Sequence, residues 1–383
     1  MCFRVHVGVN PLTNLTDFYT IGNLIDTYAL GHYARVFEAT DLHTGQRVAF
    51  KVMRAEHLAP DGQPRWEAEA FINEADLLLD LADLPAVMGF YDCGYIESKA
   101  AHPSDGKIKS FGTNLDGYRA EFFPSLREQW RPFLSLELLP RHNNLLYVMK
   151  SDEQRRRLPT EEALDLALQF AQLLYRAHKK NIVYLDHKLE HLFWDGRELR
   201  VIDWNSSKRV GGIGQPAEQQ ILNDLHNLCV GILYPILTGQ SPQKGSLRPQ
   251  PGSQAEVERR YEEVQHLDFS AASDLSPALM DLLEVGAKKQ LATATTLLAE
   301  LQRIAVRFGW SFAGQTGSPA LVQAREHLRQ GLEKLRDSQE AARLAREYLL
   351  EAAILEGINE DMEDELRRLM GQINHYLSHR PIP

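Results

Sequence analysis

The chain of 383 residues is long enough for two domains or for one large domain with two lobes. Its hydrophobic content of 44% and charged content of 25% are ordinary for a globular protein. The formal net charge of −10 argues against a general nucleic-acid binder, because such proteins are usually basic.

The cysteines and the apolar runs of the sequence bear on the cellular location of the protein. Cys2, Cys93 and Cys229 are odd in number and far apart, so we expect neither a disulfide framework nor a zinc site. This usage is typical of a reducing compartment and predicts a cytoplasmic protein. The first residues lack the apolar run of a signal peptide. The longest uncharged apolar run, 228–239, is too short to cross a bilayer and contains Pro235, so no membrane association is expected.

In chain order, the first part of the sequence is predicted to be mostly β structure with one helix. Residues 1–24 show no periodicity and are predicted to be irregular. Between 25 and 52, two runs rich in β-branched and aromatic residues flank Thr44-Gly45, which predicts a β-hairpin. Residues 65–82 lack Gly and Pro and carry apolar residues at helical spacing, including Leu79. Buried strands are predicted at 87–96 and 133–140, with a polar loop or hairpin inserted between them.

The second half is predicted to be helical. Thr160 precedes two glutamates and an apolar stripe that ends near Asn181, as expected of a helix with an N-cap and a cationic end. Further helices are predicted at 223–239, 276–305 (two helices), 320–356 and 360–378. Residues 241–254 and 313–319 have the composition of loops. The fold class is therefore α+β: a small β-rich lobe with one helix, a larger helical lobe and a helical appendage.

Four charged residues fall at the joints between these elements: Lys51, Glu74, Asp186 and Asp203. Lys51 closes a strand-like run, where a lysine is either a surface residue with a buried stem or a buried cation. A buried Lys51 paired with Glu74 would direct its ammonium at a phosphate. Isolated aspartates after apolar runs usually form turns, but two that face one cleft suit a base and a hard-cation ligand.

At these residues the chain resembles the protein-kinase-like family. The matching motifs, in the family's order, are V-A-I-K as VAFK (48–51), H-R-D-L-K-P-E-N as YLDHKLEH (184–191) and D-F-G as DWN (203–205). A helix from Asp224 to Thr238-Gly239 follows them, as in the family. The resemblance spans about residues 20–310.

The resemblance implies a bilobal protein-kinase-like fold with defined boundaries. It implies an N-terminal extension at 1–24 and a small lobe at 25–140 that carries an insertion at about 97–132. It also implies a larger lobe at 141–312. The helical pair at 320–383 lies outside the resemblance.

The resemblance further implies ATP as a cofactor, together with Mg²⁺ or Mn²⁺. Lys51 would hold the α- and β-phosphates and pair with Glu74, while Asp203 would bind the metal. Asp186 would orient or deprotonate the accepting hydroxyl, and Lys188 would neutralise charge on the transferring phosphoryl group. The other implied nucleotide-binding positions surround the phosphates and the adenine: Gly31, Val36, Ala49, Leu136, Glu137, Leu139 and Phe193.

The chain departs from the family's pattern near the phosphates and the metal. Only Gly31 remains of the glycine-rich loop, in ALGHYARV (29–36), and the alanines restrict the approach of backbone amides to phosphates. His191 replaces a metal-binding asparagine; it is expected to weaken a second Mg²⁺ site, to favour Mn²⁺ or to be a structural substitution. Trp204 is expected to fill the apolar slot of the family's Phe, and Asn205 to tolerate a positive φ in place of Gly.

The segment between Asp203 and Asp224 is short for the family. Leu185 replaces the arginine that would clamp a phosphorylated loop, so activation by phosphorylation is not expected. A short segment also leaves little platform for a peptide, so the acceptor is predicted to be either a small molecule or an atypical protein target.

The C-terminal residues carry a heptad-like stripe: Met362, Leu366, Leu369, Ile373 and Tyr376. Two interpretations are open. The helices at 320–383 either pack on the body of the protein or expose an apolar strip for a homodimer or a protein partner. The acidic stretch EGINEDMEDE (356–365) makes membrane binding unexpected.

Three functions are open on the sequence alone. The first is a phosphotransferase that acts on a protein or small-molecule hydroxyl, with Asp186 as base and Asp203 as metal ligand. The second is a pseudokinase, which would be a nucleotide-binding or scaffolding module with the C-terminal helices as its partner-binding element. The third is transfer of a nucleotidyl group. We favour the first, because a dead enzyme would be expected to lose its site charges as well as its glycines.

Overall fold

The computed structural model describes residues 13–25, 33–149, 157–211, 215–242, 254–353, 367–374 and 377. In these residues a curled antiparallel sheet is followed by a mainly helical part, which confirms the α+β class. We call them the sheet part and the helical part.

The sheet holds seven antiparallel strands in the order β1-β6-β5-β7-β4-β3-β2. In chain order the strands are β1 Thr13–Asn14, β2 Tyr19–Leu24, β3 Ala34–Asp41, β4 Arg47–Met53, β5 Phe90–Ile96, β6 Lys107–Ser110 and β7 Arg131–Glu137. The predicted hairpin is β3–β4, and its turn contains Gly45 at a φ of 71°, which glycine adopts at little steric cost. The two predicted buried strands are β5 and β7, which pair at the centre of the sheet.

Helix α2, Trp66–Asp80, was predicted from its apolar spacing and packs on β5 and β7. Phe71 and Leu78 are buried, as expected. Leu79 was expected on the same face but is 40% exposed, because the next residue along a helix is turned by about 100°. Glu74 shares the buried face, so α2 directs a carboxylate into the interior.

The prediction that residues 1–24 are irregular is wrong for the described part of that stretch. A short helix α1, Leu15–Phe18, leads into β2, which pairs with β3 at the edge of the sheet. Leu15 and Tyr19 are buried in an apolar cluster with Phe50. Periodicity misses this strand because it is short and most of its side chains are not buried.

The insertion predicted at about 97–132 as a loop or hairpin contains more structure than expected. Strand β6 forms a hairpin with β5, and two short helices follow it, α3 Leu115–Ala120 and α4 Phe122–Arg127. Tyr118 and Phe122 place their rings in the main apolar core. The insertion is therefore an integral layer of the sheet part.

The helices after β7 include α5 Leu145–Val148, α6 Thr160–Lys179, α7 Gln215–Leu228, α8 Tyr234–Thr238, α9 Gln254–Glu258, α10 Pro277–Ala287, α11 Ala294–Val306 and α12 Pro319–Ala353. Helix α6 begins one residue earlier than predicted, with Pro159 rather than Thr160 as its N-cap. A π-helical turn, Cys229–Leu233, joins α7 to α8, so that the three form one continuous helical segment with an apolar C-terminal half. This segment ends at Gly239, as predicted, with a φ of 73°.

Three two-stranded ladders complete the described structure: β8 Ile182–Val183 with β11 Lys208–Arg209, β9 Leu192–Trp194 with β10 Leu199–Val201, and β12 Ser311–Phe312 with β13 Gln315–Thr316. Asp186 lies in the loop between β8 and β9, and Asp203 follows β10. The ladder β12–β13 overlaps the stretch predicted as a linker, 313–319, and α12 begins at the end of that stretch.

Helix α12 lies on the helical part through two ion pairs with the start of α6. Arg325 binds Glu161 at 2.7 Å, and Arg336 binds Glu162 at 2.6 Å. The guanidinium of Arg325 also covers the ring of Trp310 at 3.5 Å. None of the α12 side chains whose burial is described is fully buried, and charge pairs are among the contacts that hold the helix.

Residues 367–374 are helical, within the second helix predicted at 360–378. Asn374 accepts a hydrogen bond of 2.8 Å from Arg346 of α12. Three positions of the predicted heptad-like stripe lie outside the described residues: Met362, Leu366 and Tyr376. Among the helices that the structure describes, none combines the length and the apolar character that crossing a membrane requires.

Candidate functional site

Lys51 joins the sheet part to the helical part. It lies on β4, opposite Val36 on β3 and Leu134 on β7. Its Nζ donates to Oε2 of Glu74 at 2.7 Å and to Oδ1 of Asp203 at 2.8 Å. The side chains of Lys51 and Glu74 are 8% and 1% exposed. Lys51 is therefore a buried cation with two carboxylate partners, one of which is the predicted ion-pair partner Glu74.

The charges of this group depend on each other. Burial alone disfavours the ammonium, but Asp203 and Glu74 raise the pKa of Lys51 well above its usual value. Burial would raise the pKa of Asp203, yet Lys51 holds that pKa well below its usual range. Burial dominates at Glu74 and raises its pKa, although Lys51 opposes the change. Lys51 and Asp203 are thus a charged pair at neutral pH.

Backbone geometry aims Asp203 at Lys51. Asp203 has a φ of 60°, which is uncommon for a residue other than glycine. The positive φ expected at Asn205 falls on Asp203 instead, and Asn205 lies in the 3-10 turn Trp204–Ser206. Asn205 Nδ2 donates to Oδ1 of Asp203 at 2.5 Å, so its side chain supports the turn. Trp204 is fully buried in the core cluster that contains Leu78, as predicted.

Asp186 lies in the loop after β8 and is held between two cations. Its Oδ1 accepts from Nη2 of Arg260 at 2.8 Å, and its Oδ2 lies 3.1 Å from Nζ of Lys188. Burial would raise the pKa of Asp186, but His191 when protonated, Lys188 and Arg260 together lower it. Asp186 is therefore an ionised, buried carboxylate.

The loop that presents Asp186 is strained and is fixed from α7. Leu185 has a φ of 68° although it is a γ-branched residue. Asp224 of α7 accepts from the backbone N–H of Leu185 at 2.6 Å and of Tyr184 at 3.1 Å. The carboxylate of Asp224 also lies at hydrogen-bond distance, 2.8 Å, from Nε2 of His178. These contacts hold the backbone in the conformation that directs Asp186 toward Asp203.

His191 connects the two aspartates. Its Nδ1 lies 3.0 Å from the backbone oxygen of Asp186, which can only accept, so Nδ1 carries the hydrogen. Its Nε2 lies 3.3 Å from Oδ2 of Asp203. In the neutral ring, Nε2 carries a lone pair that faces a carboxylate oxygen, so two hydrogen-bond acceptors meet. A proton on Nε2, or a cation bound by both atoms, would make this contact favourable.

Asp186, His191 and Asp203 form a group that could hold a metal ion. One ligand atom from each lies within 4.8 Å of the others. The backbone oxygen at Nδ1 fixes the ring so that Nε2 points to the site, as in many histidine–metal sites. Two carboxylates with one imidazole suit Mn²⁺ or another transition metal better than Mg²⁺, which prefers oxygen ligands. The residues present therefore fit a divalent cation.

The predicted nucleotide-binding positions are only partly brought together. Ala49 and Leu136 are cross-strand partners in the core, next to the pair Val36–Lys51. Glu137, whose predicted role is through its backbone, donates its N–H to the backbone oxygen of Gly89 at 2.9 Å, and its carboxylate accepts from the N–H of Gly89 at 2.9 Å.

The remaining positions of that set lie at its margins. Leu139 follows β7 and is half-buried. Phe193 is half-buried in β9, and its backbone pairs with Asn144. Gly31 lies outside the described residues.

Sequence reasoning missed Arg260, which contacts Asp186 from 74 positions further along the chain. The turn that carries it is fastened to the Asp186 loop: Tyr261 donates to the backbone oxygen of His187 at 2.9 Å. Asn227 of α7 donates to the backbone oxygens of Leu185 at 3.0 Å and of Glu258 at 3.3 Å. A lone arginine in a polar segment gives no signal of such a contact, because only chain folding brings the two together.

A separate cavity of about 340 Å³ lies between α12 and the helical part. Its lining includes Trp194, Leu332 and Arg336. The guanidinium of Arg336 is already paired with Glu162. None of the residues that line this cavity belongs to the charged cluster around Lys51, and we place the functional site at that cluster because of its convergent charges.

No family model matches this chain, and no curated protein sequence is significantly similar to it. Its function is therefore inferred from its own residues. The cluster contains the ammonium of Lys51 between two carboxylates and a group of three residues that could hold a metal. It also contains the carboxylate of Asp186, which is flanked by two cations. Such a set can bind phosphates, hold a divalent ion and orient a hydroxyl group.

Proposed function

We propose that the protein is a divergent protein-kinase-like phosphotransferase, which transfers the γ-phosphoryl group of ATP to a hydroxyl of a protein or small molecule. One observation carries the proposal: Lys51 binds Glu74 and Asp203 at the same time, and Asp203 shares a metal-competent group with Asp186 and His191. These residues come from the sheet part and the helical part, and they occur in the order of the family's motifs.

The chain's own residues divide the work as follows. Lys51 orients the phosphates, and its position is fixed by Glu74. Asp203 and His191 would hold a divalent ion, which would supply positive charge to neutralise the phosphates. Asp186, ionised at neutral pH, accepts a hydrogen bond from the acceptor hydroxyl and receives its proton late in transfer. Lys188 balances the charge on the moving phosphoryl group.

A radiolabel assay tests the proposal. The purified protein is incubated with γ-labelled ATP and Mg²⁺ or Mn²⁺, and label is followed into protein and into released phosphate. We expect Asp203→Asn and Asp186→Asn to lose about 100-fold or more of the wild-type rate, because each removes a group that acts on the transition state. Asp116→Asn is the matched control, since the Asp116 side chain is 99% exposed. Equal release of label by all four proteins contradicts the proposal.

The second candidate is a pseudokinase that binds nucleotide without turning it over. The ion pairs of Asp186 with Lys188 and Arg260 favour it, because an acceptor must displace or share these cations. Thermal unfolding with ATP and each metal separates the two candidates. A stabilising shift without label release supports the pseudokinase, since ligand binding to the native state raises stability.

A further inference from the structure

Tyr33 buries a hydroxyl that has no hydrogen-bond partner among the described residues. It is 8% exposed, and it directly precedes β3. Its backbone oxygen accepts from the N–H of Arg54 at 2.8 Å. Its ring packs edge-on against Trp66 at 5.2 Å and Phe71 at 6.0 Å, both on α2. The backbone and the ring of Tyr33 are thus held in place, while its hydroxyl is unpartnered.

This hydroxyl lies within the field of the charged cluster. Tyr33 comes three residues before Val36, the cross-strand partner of Lys51. Burial is the main reason that the pKa of Tyr33 is raised, and Lys51, Asp203 and Glu74 also act on it. The strand that follows Tyr33 pairs with the strand that carries Lys51, and the helix against which its ring packs carries Glu74, so Tyr33 lies beside the residues proposed to bind the phosphates.

Native proteins seldom bury a hydroxyl with no partner, and each case calls for an explanation. Tyr118 also buries an unpartnered hydroxyl, but its ring lies against Tyr95 and Phe111 in the apolar core. Tyr33 belongs to the same apolar core, but it differs from Tyr118 because it lies against Phe71, one helical turn before Glu74 on α2, and because the charges of Lys51 and Asp203 act on its hydroxyl. A competing partner is Oε1 of Glu74, which is also buried without a partner in the described residues.

We propose that the Tyr33 hydroxyl donates a hydrogen bond to the phosphate chain of ATP, next to the ammonium of Lys51. This inference rests on the proposed function, because it needs nucleotide at the cluster. It adds a side-chain phosphate donor in a segment where Gly31 is the only remaining glycine of the motif. Tyr33 is a ligand-binding residue in this role: it favours a nucleoside triphosphate over a nucleoside monophosphate.

Equilibrium binding of ATP and AMP to the full chain tests the role. Tyr33→Phe keeps the ring and removes only the hydroxyl. Because hydrogen bonds to charged groups are strong, we expect Tyr33→Phe to weaken ATP binding about tenfold or more. AMP has no β- or γ-phosphate, and its affinity should change less than about twofold by the same reasoning. Tyr118→Phe is the control, and its affinity for both ligands should equal that of the wild type.

The outcomes separate this inference from the proposed function. If the wild type binds ATP and Tyr33→Phe binds it equally well or more tightly, the inference is overturned and the proposed function stands. Equal weakening of ATP and AMP overturns it too, since the effect is then not on the phosphates. A lowered unfolding temperature of ligand-free Tyr33→Phe with unchanged ATP affinity assigns the hydroxyl to Glu74 instead. A wild type that binds neither nucleotide removes both proposals.

Discussion

The guanidinium of Arg260 donates a hydrogen bond of 2.8 Å to Oδ1 of Asp186, and the ammonium of Lys188 forms an ion pair with Oδ2 of the same carboxylate. A buried carboxylate would ordinarily hold a proton more tightly, but these cations keep Asp186 ionised. Under the proposed function, an acceptor hydroxyl at Asp186 would approach beside two positive charges, so we expect an acceptor that carries negative charge close to the hydroxyl.

The first prediction concerns Arg260→Gln. Removing the cation raises the pKa of Asp186, so the acid limb of the pH–rate profile for phosphoryl transfer should move to higher pH. A carboxylate whose pKa is lower in the folded state stabilises the fold at pH values above its unfolded-state pKa. This stabilisation is lost as the pH falls through the folded-state pKa. We therefore also expect Arg260→Gln to lose about 2 kcal/mol of unfolding free energy at neutral pH, and less in acid. Urea unfolding at several pH values measures this.

Arg259→Gln is the control for Arg260→Gln, because the neighbouring Arg259 side chain is 58% exposed. It should leave both the pH–rate profile and the stability unchanged. Identical behaviour of the two variants would show that the contact between Arg260 and Asp186 has no energetic weight.

The second prediction concerns Lys51→Met. Removing the ammonium leaves Glu74 buried without its cation, and breaking a buried pair in this way costs about 3–5 kcal/mol. Glu74 limits the loss by taking up a proton, so the destabilisation should be smaller in acid. The double variant Lys51→Met/Glu74→Leu should recover much of the stability, because it removes the buried pair and leaves only Asp203, whose side chain is 27% exposed, without the cation. Denaturant unfolding of the wild type, the two single variants and the double variant forms the cycle.

Lys109→Met is the matched control for Lys51→Met. Lys109 also has a mostly buried stem, but its partners Glu121 and Glu128 are more exposed than Glu74 and can return to water. A loss of about 1 kcal/mol is expected there. A loss at Lys51 no larger than the loss at Lys109 contradicts the tight pairing at the site.

The third prediction concerns the metal. The wild type should be stabilised by Mn²⁺ at lower concentrations than by Mg²⁺, because His191 offers a nitrogen ligand. His191→Asn replaces that ligand with an amide oxygen and should narrow the difference between the two ions. Thermal unfolding against metal concentration measures the preference. Asp203→Asn should lose the response to both ions, whereas the exposed His266→Asn should behave like the wild type. An unaltered ion preference in His191→Asn rules out His191 as a ligand.

The fourth prediction concerns Asp92 of β5. Burial raises its pKa to about 6, although Tyr19 and Ser110 donate hydrogen bonds to its carboxylate. The folded state therefore binds this proton more tightly than the unfolded state, and stability falls as the pH rises through the folded value. Relative to Asp92→Asn, the wild type should lose about 3 kcal/mol of unfolding free energy between about pH 4 and pH 6.5.

Urea unfolding over this pH range measures the effect of Asp92. The exposed Asp105→Asn serves as the control and should keep the slope of the wild type. Parallel pH curves for the wild type and Asp92→Asn would mean that Asp92 does not titrate in this range.

The fifth prediction concerns the attachment of α12. Glu161 accepts from Trp310 at 3.1 Å and binds Arg325, and Glu162 binds Arg336. The variant Glu161→Gln/Glu162→Gln removes both carboxylates, so amide hydrogens of α12 should exchange faster while α2 is unaffected. Glu300→Gln, which removes an exposed pair within α11, should leave exchange in α12 unchanged. Unchanged exchange in the double variant would mean that other contacts hold α12.

Local pattern predicted several elements correctly because each depends on few neighbours. The β3–β4 hairpin follows from its turn residues, and α2, α6, α10 and α11 follow from apolar spacing and caps. Strand β2 was missed because its pairing with β3 and the burial of Tyr19 are long-range effects. Positive φ was assigned to Asn205 from residue preference, whereas the structure has it at Asp203, whose side chain contacts Lys51.

The sequence by itself determined the α+β class, most helices and the identity of the charged residues that end apolar runs, since these follow from periodicity and residue chemistry. Only the tertiary structure decided that Lys51 binds Glu74 and Asp203 together, and that Arg260 binds Asp186. It also decided that Tyr33 buries an unpartnered hydroxyl beside them. The reason is physical: strong electrostatic contacts act over a few ångströms in space, and residues far apart in the chain reach that distance only when the core has packed.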